Sequence, residues 1–266
     1  MRIDVDDTSC YAYTGSRAMD ADRPSIVFVH GAANDHSVWA LQSRYFAHHG
    51  CNVLAVDLPG HGRSGGAALA TVEAIADWIP RLLDAAGVAR AALVGHSLGS
   101  LVVLACAAQR PERVTKIALL GPAVPMLVSD ELLAAAKADD PVAFEMINGW
   151  SFSAGKQLGG NAVPGMWMTG NALRLMERTH PGVLHTDLVA CQSYGQGLAD
   201  AAAVRCPALA IMGAQDLMTP VKGAQALLGA LADKRTVTLP RTGHAMMAEQ
   251  PDAVLDALRE FLKALA

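Results

Sequence analysis

The stretch "AALVGHSLGSLVVLA" (residues 91–105) joins two apolar runs through a serine that has a glycine two positions before it and another two positions after it. The first run is short and rich in Val and Leu, as in buried β-strands, whereas the second is long enough for a helix. A sharp reversal between them would strain the backbone of Ser97 and press positions 95 and 99 against neighbouring elements. Glycine tolerates that crowding because it has no Cβ atom. The pattern predicts a strand, a tight turn that exposes the hydroxyl of Ser97, and a helix.

Other short apolar runs alternate with helical patterns along the chain and resemble buried strands. They occupy residues 25–30, 52–58, 116–121, 207–213 and 235–240. Their nearly continuous apolar character indicates burial on both faces, as in a parallel sheet covered by helices. Two more strictly alternating pieces near the start, "RIDVDD" and "CYAYTG", predict an antiparallel entry to that sheet. The chain is therefore predicted to have an α/β fold with a three-layer core.

The helical patterns divide the chain into a core and an insertion. One pattern spans residues 71–87, but Pro80 inside it is expected to kink or split the helix. Between about Pro122 and Val204 the alternation stops, since this stretch contains helical pieces and no run typical of a buried strand. We predict an α/β core of residues 1–121 and 205–266, interrupted by a mostly helical insertion at residues 122–204.

Composition and charge narrow the class of protein. The 266 residues are 52% hydrophobic and 17% charged, which indicates a globular chain, and their formal net charge is −4. Lys and Arg are not clustered, so binding to nucleic acid is not predicted. No apolar stretch reaches the ~18–20 residues of a membrane span, and the acidic, polar N-terminus does not resemble a secretory signal. We expect a cytoplasmic protein that does not bind membranes.

The sequence predicts neither a metal nor a cofactor. The five cysteines include no CxxC pair and mostly lie in or beside apolar runs, as expected of small core residues in a reducing compartment. His48 and His49 have no Cys, Asp or Glu at the spacing of metal ligands. Glycine loops of the nucleotide-binding type are missing as well. The oligomeric state stays open.

A nucleophilic serine needs a base, and the base needs an acid that orients it. His244 lies in "LPRTGHAMMAEQPDAV", after the last strand-like run, and Asp216 lies in "AIMGAQDLMTP", just past the preceding run. Taken alone, Asp216 could cap a helix and His244 could be a surface residue. Their positions at strand ends, in the chain order Ser97, Asp216, His244, instead predict a catalytic triad.

Two backbone N–H groups are candidates for an oxyanion hole. The N–H group of Leu98 opens the helix after the serine and should point to where an oxyanion would form. The loop after the first buried strand, "VFVHGAANDHSVW", offers the N–H group of Ala32 as a second donor, and Gly31 lets that backbone come close. His30 and His96 are interpreted as packing residues.

Taken together, "HGAANDHSVW", "VLAVDLPGHGRS", "VGHSLGS", "IMGAQDLMTP" and "TGHAMMAEQPDAV" resemble the α/β-hydrolase fold superfamily along nearly the whole chain. The resemblance implies that Ser97 is the nucleophile, Asp216 the acid and His244 the base. It also implies that Ala32 and Leu98 form the oxyanion hole and that residues 122–204 form a helical cap. The segment 57–64 is a family landmark with a mainly structural role. The loop "HGAA" lacks the three glycines of many lipases, which disfavours large lipids, and a serine nucleophile disfavours haloalkane dehalogenase or epoxide hydrolase chemistry.

Substrate choice is expected to depend on the cap. Flexible thioethers and aromatic rings make an adaptable apolar surface, although ordinary cap packing would use the same residues. The candidate pocket residues are Trp39, Met126, Met146, Trp150, Met166, Trp167 and Met168. The lack of a basic cluster disfavours a highly anionic substrate such as a CoA thioester. Arg174, Arg178 and Lys156 remain candidate partners for a single carboxylate.

These features predict a serine hydrolase that cleaves small to medium carboxylic esters through an acyl-enzyme, with lactones as further candidate substrates. An alternative enzyme on the same triad and cap is a hydrolase of carbon–carbon bonds in vinylogous diketones. A different class of protein, a non-catalytic ligand-binding receptor on this fold, also stays open.

Overall fold

A computed structural model describes residues 1–160 and 165–263 of the chain, which form one sheet flanked by helices. The strands are β1 (Arg2–Val5), β2 (Thr8–Tyr13), β3 (Ser25–Val29), β4 (Asn52–Val56), β5 (Ala91–His96), β6 (Val114–Leu120), β7 (Ala208–Gly213) and β8 (Lys234–Leu239). Their spatial order is β1-β2-β4-β3-β5-β6-β7-β8. The pairs β1/β2 and β2/β4 are antiparallel and all later pairs are parallel, so the predicted antiparallel entry to a parallel sheet is confirmed.

Helices connect the strands and cover both faces of the sheet. They are α1 (Ala40–His48), α2 (Val72–Ala85), α3 (Leu98–Gln109), α4 (Asp130–Lys137), α5 (Val142–Ser151), α6 (Ala154–Gln157), α7 (Met168–Met176), α8 (Val183–Ser193), α9 (Gly197–Ala203), α10 (Gln225–Ala230), α11 (Met246–Glu249) and α12 (Pro251–Leu262). Two short 3-10 turns, His36–Trp39 and Val221–Ala224, precede α1 and α10. No helix in the described ranges combines the length and the apolar character needed to cross a membrane.

The central strands read as continuous apolar runs because both of their faces are covered. Every residue of β3, β4, β5 and β7 is buried. Successive side chains of a strand point to opposite faces, and accordingly Val27 packs in one apolar cluster and Phe28 in another. The first cluster includes Leu101 of α3, and the second includes Leu258 of α12. The predicted three-layer α/β core is therefore confirmed.

Helix α2 differs from the sequence-based expectation at Pro80. It runs as one helix from Val72 to Ala85 with Pro80 inside it, so of the two expected effects, a kink or a split, the split does not occur. The side chain of Thr71 accepts a hydrogen bond from the N–H of Ala74 (3.1 Å) and caps the helix. Proline removes one helical hydrogen bond, but Pro80 and its helical neighbours are buried against the core. Burial of this apolar face outweighs the loss of a single bond.

Helices α4 to α9 form an inserted segment between β6 and β7. Side chains from it, among them Leu132, Ile147 and Leu188, build a small apolar cluster of their own that also holds Ala33 of the core. Helix α9, at the end of the segment, packs against α3 and α10. The division into a core of 1–121 and 205–266 and a cap of 122–204 stays a prediction.

Candidate active site

The turn between β5 and α3 holds Ser97 in a conformation that side chains rarely adopt. Its φ is 55° and its ψ is −120°, in the left-handed half of backbone space. A Cβ atom at Gly95 would lie 2.0 Å from the carbonyl oxygen of Gly99. A Cβ atom at Gly99 would lie 2.4 Å from the carbonyl oxygen of Val29 on the neighbouring strand. Both glycines are therefore required by close backbone contacts, as the spacing predicts.

Asp216 and His244, which follow β7 and β8, meet at the carboxyl edge of the sheet. Nδ1 of His244 lies 2.8 Å from Oδ2 of Asp216, and both side chains are buried. A carboxylate only accepts hydrogen bonds, so Nδ1 carries the proton of the neutral ring and Nε2 is left with a lone pair. His244 lines the same cavity as Ser97. This tautomer is the one that a general base requires.

Thr219 completes the surroundings of Asp216, and the sequence analysis missed it. Oδ1 of Asp216 accepts hydrogen bonds from the N–H groups of Met218 (2.9 Å) and Thr219 (2.8 Å). The Thr219 hydroxyl donates to Oδ2 of Asp216 (2.8 Å) and lies 3.1 Å from Nδ1 of His244. Burial by itself would raise the pKa of Asp216, but His244 and these hydrogen bonds outweigh it and lower the pKa. Asp216 is therefore held as a carboxylate.

Two further histidines near the site are neutral packing residues. Burial lowers the pKa of His96 to about 3, and its Nε2–H donates to the carbonyl of His244 (2.9 Å). Burial likewise lowers the pKa of His30 to about 4. Nε2 of His30 accepts the N–H of Leu58 (3.1 Å), and its Nδ1–H donates to the carbonyl of Gly31 (2.8 Å). Neither ring is arranged to transfer a proton at neutral pH.

The predicted oxyanion donors lie on two backbone segments that border Ser97. A Cβ atom at Gly31 would lie 3.1 Å from Cβ of Ser97, so the loop after β3 passes in contact with the serine. Ala32, the next residue, lines the cavity. The N–H of Leu98 opens α3, where first-turn N–H groups have no partner within the helix.

A buried glutamate, also missed from sequence, links the His244 loop to the inserted segment. Carboxylate oxygens of Glu249 accept hydrogen bonds from the N–H of Gly243 (2.9 Å) and the hydroxyl of Ser153 (2.5 Å). The N–H of Ala245 donates to the carbonyl of Ser151 (2.9 Å). Residues on both sides of His244 are thus hydrogen-bonded to the inserted segment or to its partner Glu249. Sequence offers no signal for this contact because the partners are far apart along the chain.

A cavity of about 830 Å³ opens between the sheet edge and the inserted segment. Ser97 and His244 lie in its wall, and the rest of the wall is mainly apolar. Four of the predicted pocket residues line it: Met126, Trp150, Met166 and Met168. The volume fits a small to medium organic ligand.

Three predicted pocket residues lie elsewhere, which corrects the sequence-based expectation. Trp39 is fully buried in the core beneath the site, with its ring 5.3 Å from that of Phe28. Met146 packs against the apolar cluster inside the inserted segment. Trp167 is 68% exposed, and its ring covers Gly170 at the start of α7. Composition marks such residues as apolar but does not tell which way each one points.

Among the described residues of the cavity wall, the lysine and arginine side chains are Arg174 and Arg178. A guanidinium nitrogen of Arg174 lies 2.5 Å from a carboxylate oxygen of Glu177. Arg178 follows just past the end of α7. Lys156 instead donates to the carbonyl of Gly160 (2.5 Å), outside this cavity. Glu177 offsets the charge of Arg174, so Arg178 contributes the positive charge in this part of the cavity wall.

One cluster in the described ranges has the residue types of a metal site. The ligand atoms of Asp35, His36 and Asp57 lie within 4.8 Å of one another. They are already bonded, since Nδ1 of His36 contacts Oδ1 of Asp57 (2.7 Å) and Asp35 accepts the N–H of Ser37 (2.8 Å). Burial would raise the pKa of Asp57, but hydrogen bonds from His36 and Arg63 lower it overall. The cluster is explained as a structural support for this loop.

Comparison with known proteins defines the family. A sequence model of the alpha/beta hydrolase family matches residues 26–257. The pimeloyl-(acyl-carrier protein) methyl ester esterase of Chromobacterium violaceum is 30% identical over 254 residues, covering 91% of this chain and 96% of that protein. The chain therefore belongs to the alpha/beta hydrolase family, and this relationship supports hydrolase activity.

Solved structures show the same fold. The enol-lactonase from Burkholderia xenovorans LB400 matches with a TM-score of 0.87 at 25% identity, covering 99% of this chain and 100% of that one. A thermophilic esterase from Thermogutta terrifontis matches with a TM-score of 0.85 at 20% identity, covering 100% of this chain and 98% of that one. The predicted fold, a mostly parallel sheet flanked by helices as in α/β hydrolases, is confirmed.

Proposed function

We propose that this protein is a serine hydrolase that cleaves small to medium carboxylic esters, including lactones, through an acyl-enzyme. The observation that carries the proposal is the buried His244–Asp216 pair (2.8 Å) in the wall of the cavity that also holds Ser97 on a strained turn. A neutral imidazole with a free Nε2 lone pair beside a serine is the arrangement that nucleophilic catalysis needs.

In the acylation step, Nε2 of His244 takes the proton of Ser97 as Oγ forms a bond to the ester carbonyl carbon. The carbonyl electron pair moves to its oxygen, which the N–H groups of Ala32 and Leu98 stabilise. Asp216 stabilises the imidazolium that forms. Collapse of the tetrahedral intermediate breaks the bond to the alcohol oxygen, which leaves with the proton from His244. Ser97 then carries the acyl group.

In the deacylation step, a water molecule takes the place of the alcohol. Nε2 of His244 removes a proton from this water as its oxygen attacks the acyl carbon. The same two N–H groups hold the second oxyanion. Its collapse breaks the bond to Ser97, which regains a proton from His244, and the acid leaves. With a lactone, the alcohol and the acid are two ends of one product.

The cavity supports a substrate with a sizeable apolar part. Its volume of about 830 Å³ and its mainly apolar wall suit acyl or alkyl groups of moderate length. Met126, Met166 and Met168 contribute flexible thioethers that adapt to different shapes. The names of the relatives, a methyl ester esterase and an enol-lactonase, agree with ester and lactone chemistry.

The test compares the wild-type protein with Ser97→Ala on p-nitrophenyl esters of increasing chain length, lactones, amides and vinylogous diketones. Ester or lactone hydrolysis should fall at least about 10³-fold in Ser97→Ala, because the nucleophile is removed. Ser43→Ala is the matched control, since Ser43 is a buried serine outside the cavity wall. It should keep wild-type rates.

Other outcomes would reject the proposal. Retention of most ester hydrolysis in Ser97→Ala would exclude Ser97 as the nucleophile. A rate on diketones far above that on any ester would assign the site to carbon–carbon bond hydrolysis. Tight binding of an ester without turnover would indicate a receptor.

A further inference from the structure

Asp187, on helix α8 of the inserted segment, reaches into the core beside the candidate oxyanion loop. Its side chain is 1% exposed. Oδ2 accepts the N–H of Ala33 (2.9 Å) and lies 2.9 Å from Nε2 of His61. One carboxylate oxygen from the inserted segment therefore holds two groups of the core.

Ala33 is the residue that follows the proposed donor Ala32, and its backbone is held on both sides. Its φ is 53°, a conformation that a non-glycine residue keeps only when its neighbours enforce it. Its N–H is bonded to Asp187, and its carbonyl accepts the hydroxyl of Thr179 (3.1 Å). Both partners belong to the inserted segment. Two side chains of the inserted segment therefore hold the backbone of the loop at Ala33.

Burying the carboxylate of Asp187 costs free energy that an apolar side chain at this position would not cost. Its second oxygen, Oδ1, is buried without a hydrogen-bond partner among the described residues. Burying a carboxylate with unmet hydrogen-bonding capacity is unfavourable, and such groups in native structures call for an explanation. Both ring nitrogens of His61 face acceptors, Nδ1 the carbonyl of Pro59 (3.0 Å) and Nε2 the carboxylate of Asp187, so a ring protonated on both nitrogens can donate to both.

We propose that Asp187 is a positioning residue for the oxyanion hole. By holding the N–H of Ala33, it fixes the peptide plane between Ala32 and Ala33, and so limits rotation of the adjoining Ala32 N–H away from the substrate oxygen. Preorganised donors are effective because they need no rearrangement when charge develops on that oxygen. The inference rests on the proposed function, since it concerns the same acyl transfer.

The test measures how strongly the enzyme prefers an oxygen ester to the matching thionoester, in which C=S replaces C=O. Sulfur is a weaker hydrogen-bond acceptor, so the preference reports on the oxyanion donors. Asp187→Ala should lower kcat for the oxygen ester about 10- to 100-fold, with KM within about threefold, because a misplaced donor costs part of what its removal costs. The ratio of kcat/KM between the two substrates should fall at least about tenfold.

Asp200→Asn is the matched control. Asp200 is a half-buried carboxylate of α9 that bonds the hydroxyl of Tyr194, away from the oxyanion loop. It should keep the wild-type ratio. If Asp187 only supports the fold, Asp187→Ala will lower both rates in parallel and leave the ratio unchanged, which overturns the proposal.

Two further measurements keep the outcomes distinct. If Asp187→Ala does not fold, Thr179→Val releases the carbonyl of Ala33 instead, and the ratio should fall at least about threefold; an unchanged ratio there overturns the proposal. An unchanged ratio with Ser97-dependent hydrolysis rejects the positioning role alone. Hydrolysis that does not depend on Ser97 rejects the proposed function, and the positioning role falls with it.

Discussion

Thr219 shows how a single hydroxyl contributes to the candidate site. Its Oγ1 lies 2.8 Å from Oδ2 of Asp216 and 3.1 Å from Nδ1 of His244, so it touches both members of the pair. The hydroxyl donates to the carboxylate and limits the directions in which the imidazole can tilt. Thr219 also lies in the cavity wall, and these two contacts lead us to expect that it acts through Asp216 and His244.

Replacing Thr219 by valine keeps the shape of the side chain and removes this hydrogen bond. We expect kcat to fall about 10- to 150-fold, the equivalent of one lost hydrogen bond to a charged group, with little change in KM. Steady-state kinetics on a p-nitrophenyl ester measures the effect. Thr242→Val is the control, because Thr242 is also buried and its hydroxyl, within the described ranges, bonds the carbonyl of Pro240 (3.0 Å) and neither Asp216 nor His244. Equal kcat values for the two variants would contradict the role of Thr219.

At this scale the sequence predicts some residues and not others. Ser97, Asp216 and His244 follow strand-like runs in an order that points to one sheet edge. Thr219 and Asp187 carry no such signal. Asp187 lies 154 positions from Ala33 and 126 positions from His61, so only the tertiary fold brings them together.

Among the elements, the turn from β5 to α3 depends on two backbone approaches that only glycine allows. Gly95→Ala would place a Cβ atom 2.0 Å from the carbonyl oxygen of Gly99, and backbone cannot yield as a flexible side chain can. We expect the free energy of unfolding to fall by about 2–4 kcal/mol, measured by urea denaturation.

A glycine in an open helical position gives the matched control. Gly149 lies in α5, and a Cβ atom there would meet nothing within 4 Å. Gly149→Ala should raise the free energy of unfolding by about 0.5–1 kcal/mol, because alanine favours helix and restricts the unfolded chain. Similar effects of the two substitutions would show that the close contact at Gly95 does not govern the turn.

The strands were predictable at this scale because burial on both faces leaves a plain apolar run. The run 91–96 matches β5, which is buried throughout. The run 235–240 is shifted by one residue from β8 (Lys234–Leu239), and here the expected burial is wrong, because β8 is a mostly exposed strand at the edge of the sheet. Helix α2 was harder to predict, because the local effect of Pro80 is visible in sequence whereas its burial against the sheet is not. Which residues of the inserted segment face the cavity was equally hidden, as the positions of Met146 and Trp167 show.

For the whole molecule, the charge of the cavity wall predicts a substrate preference. Arg178 lines the cavity and is exposed, near the end of the wall formed by α7. Arg178→Gln should lower kcat/KM about two- to fivefold for an ester whose acyl part bears a carboxylate, and leave a neutral ester of equal length unchanged. Arg90→Gln, an exposed arginine outside the cavity, should change neither. A parallel loss on both esters in Arg178→Gln would contradict charge recognition.

Buried histidines predict how stability depends on pH. The pKa of His30 is lowered from 6.5 to about 4 and that of His96 from 6.5 to about 3, so the unfolded chain binds these protons more readily than the folded protein. Their contribution to stability is full above about pH 6.5 and is lost progressively as pH falls from there to the folded-state pKa values. Between pH 7 and pH 5 the free energy of unfolding should fall by about 1–2 kcal/mol for each.

His61 acts in the opposite direction and does not mask this loss. Burial would lower its pKa, but Asp187 raises it overall, so its contribution is full below about pH 6.5 and fades as pH rises through the raised value. Below pH 6.5 that contribution is constant. Urea denaturation at several pH values checks the trend, and a free energy of unfolding that stays constant from pH 7 to pH 5 would contradict it.

The central claim, acyl transfer through Ser97, is tested most directly by covalent labelling with a fluorophosphonate. Oγ of Ser97 should form a bond to phosphorus as fluoride leaves and the proton passes to His244. Mass spectrometry should find one adduct per chain, on the peptide that contains Ser97, and ester hydrolysis should decline in proportion to labelling. His244→Ala should label at least about 100-fold more slowly. Full labelling of Ser97 with ester hydrolysis undiminished, or loss of hydrolysis with the label on another residue, would contradict the account.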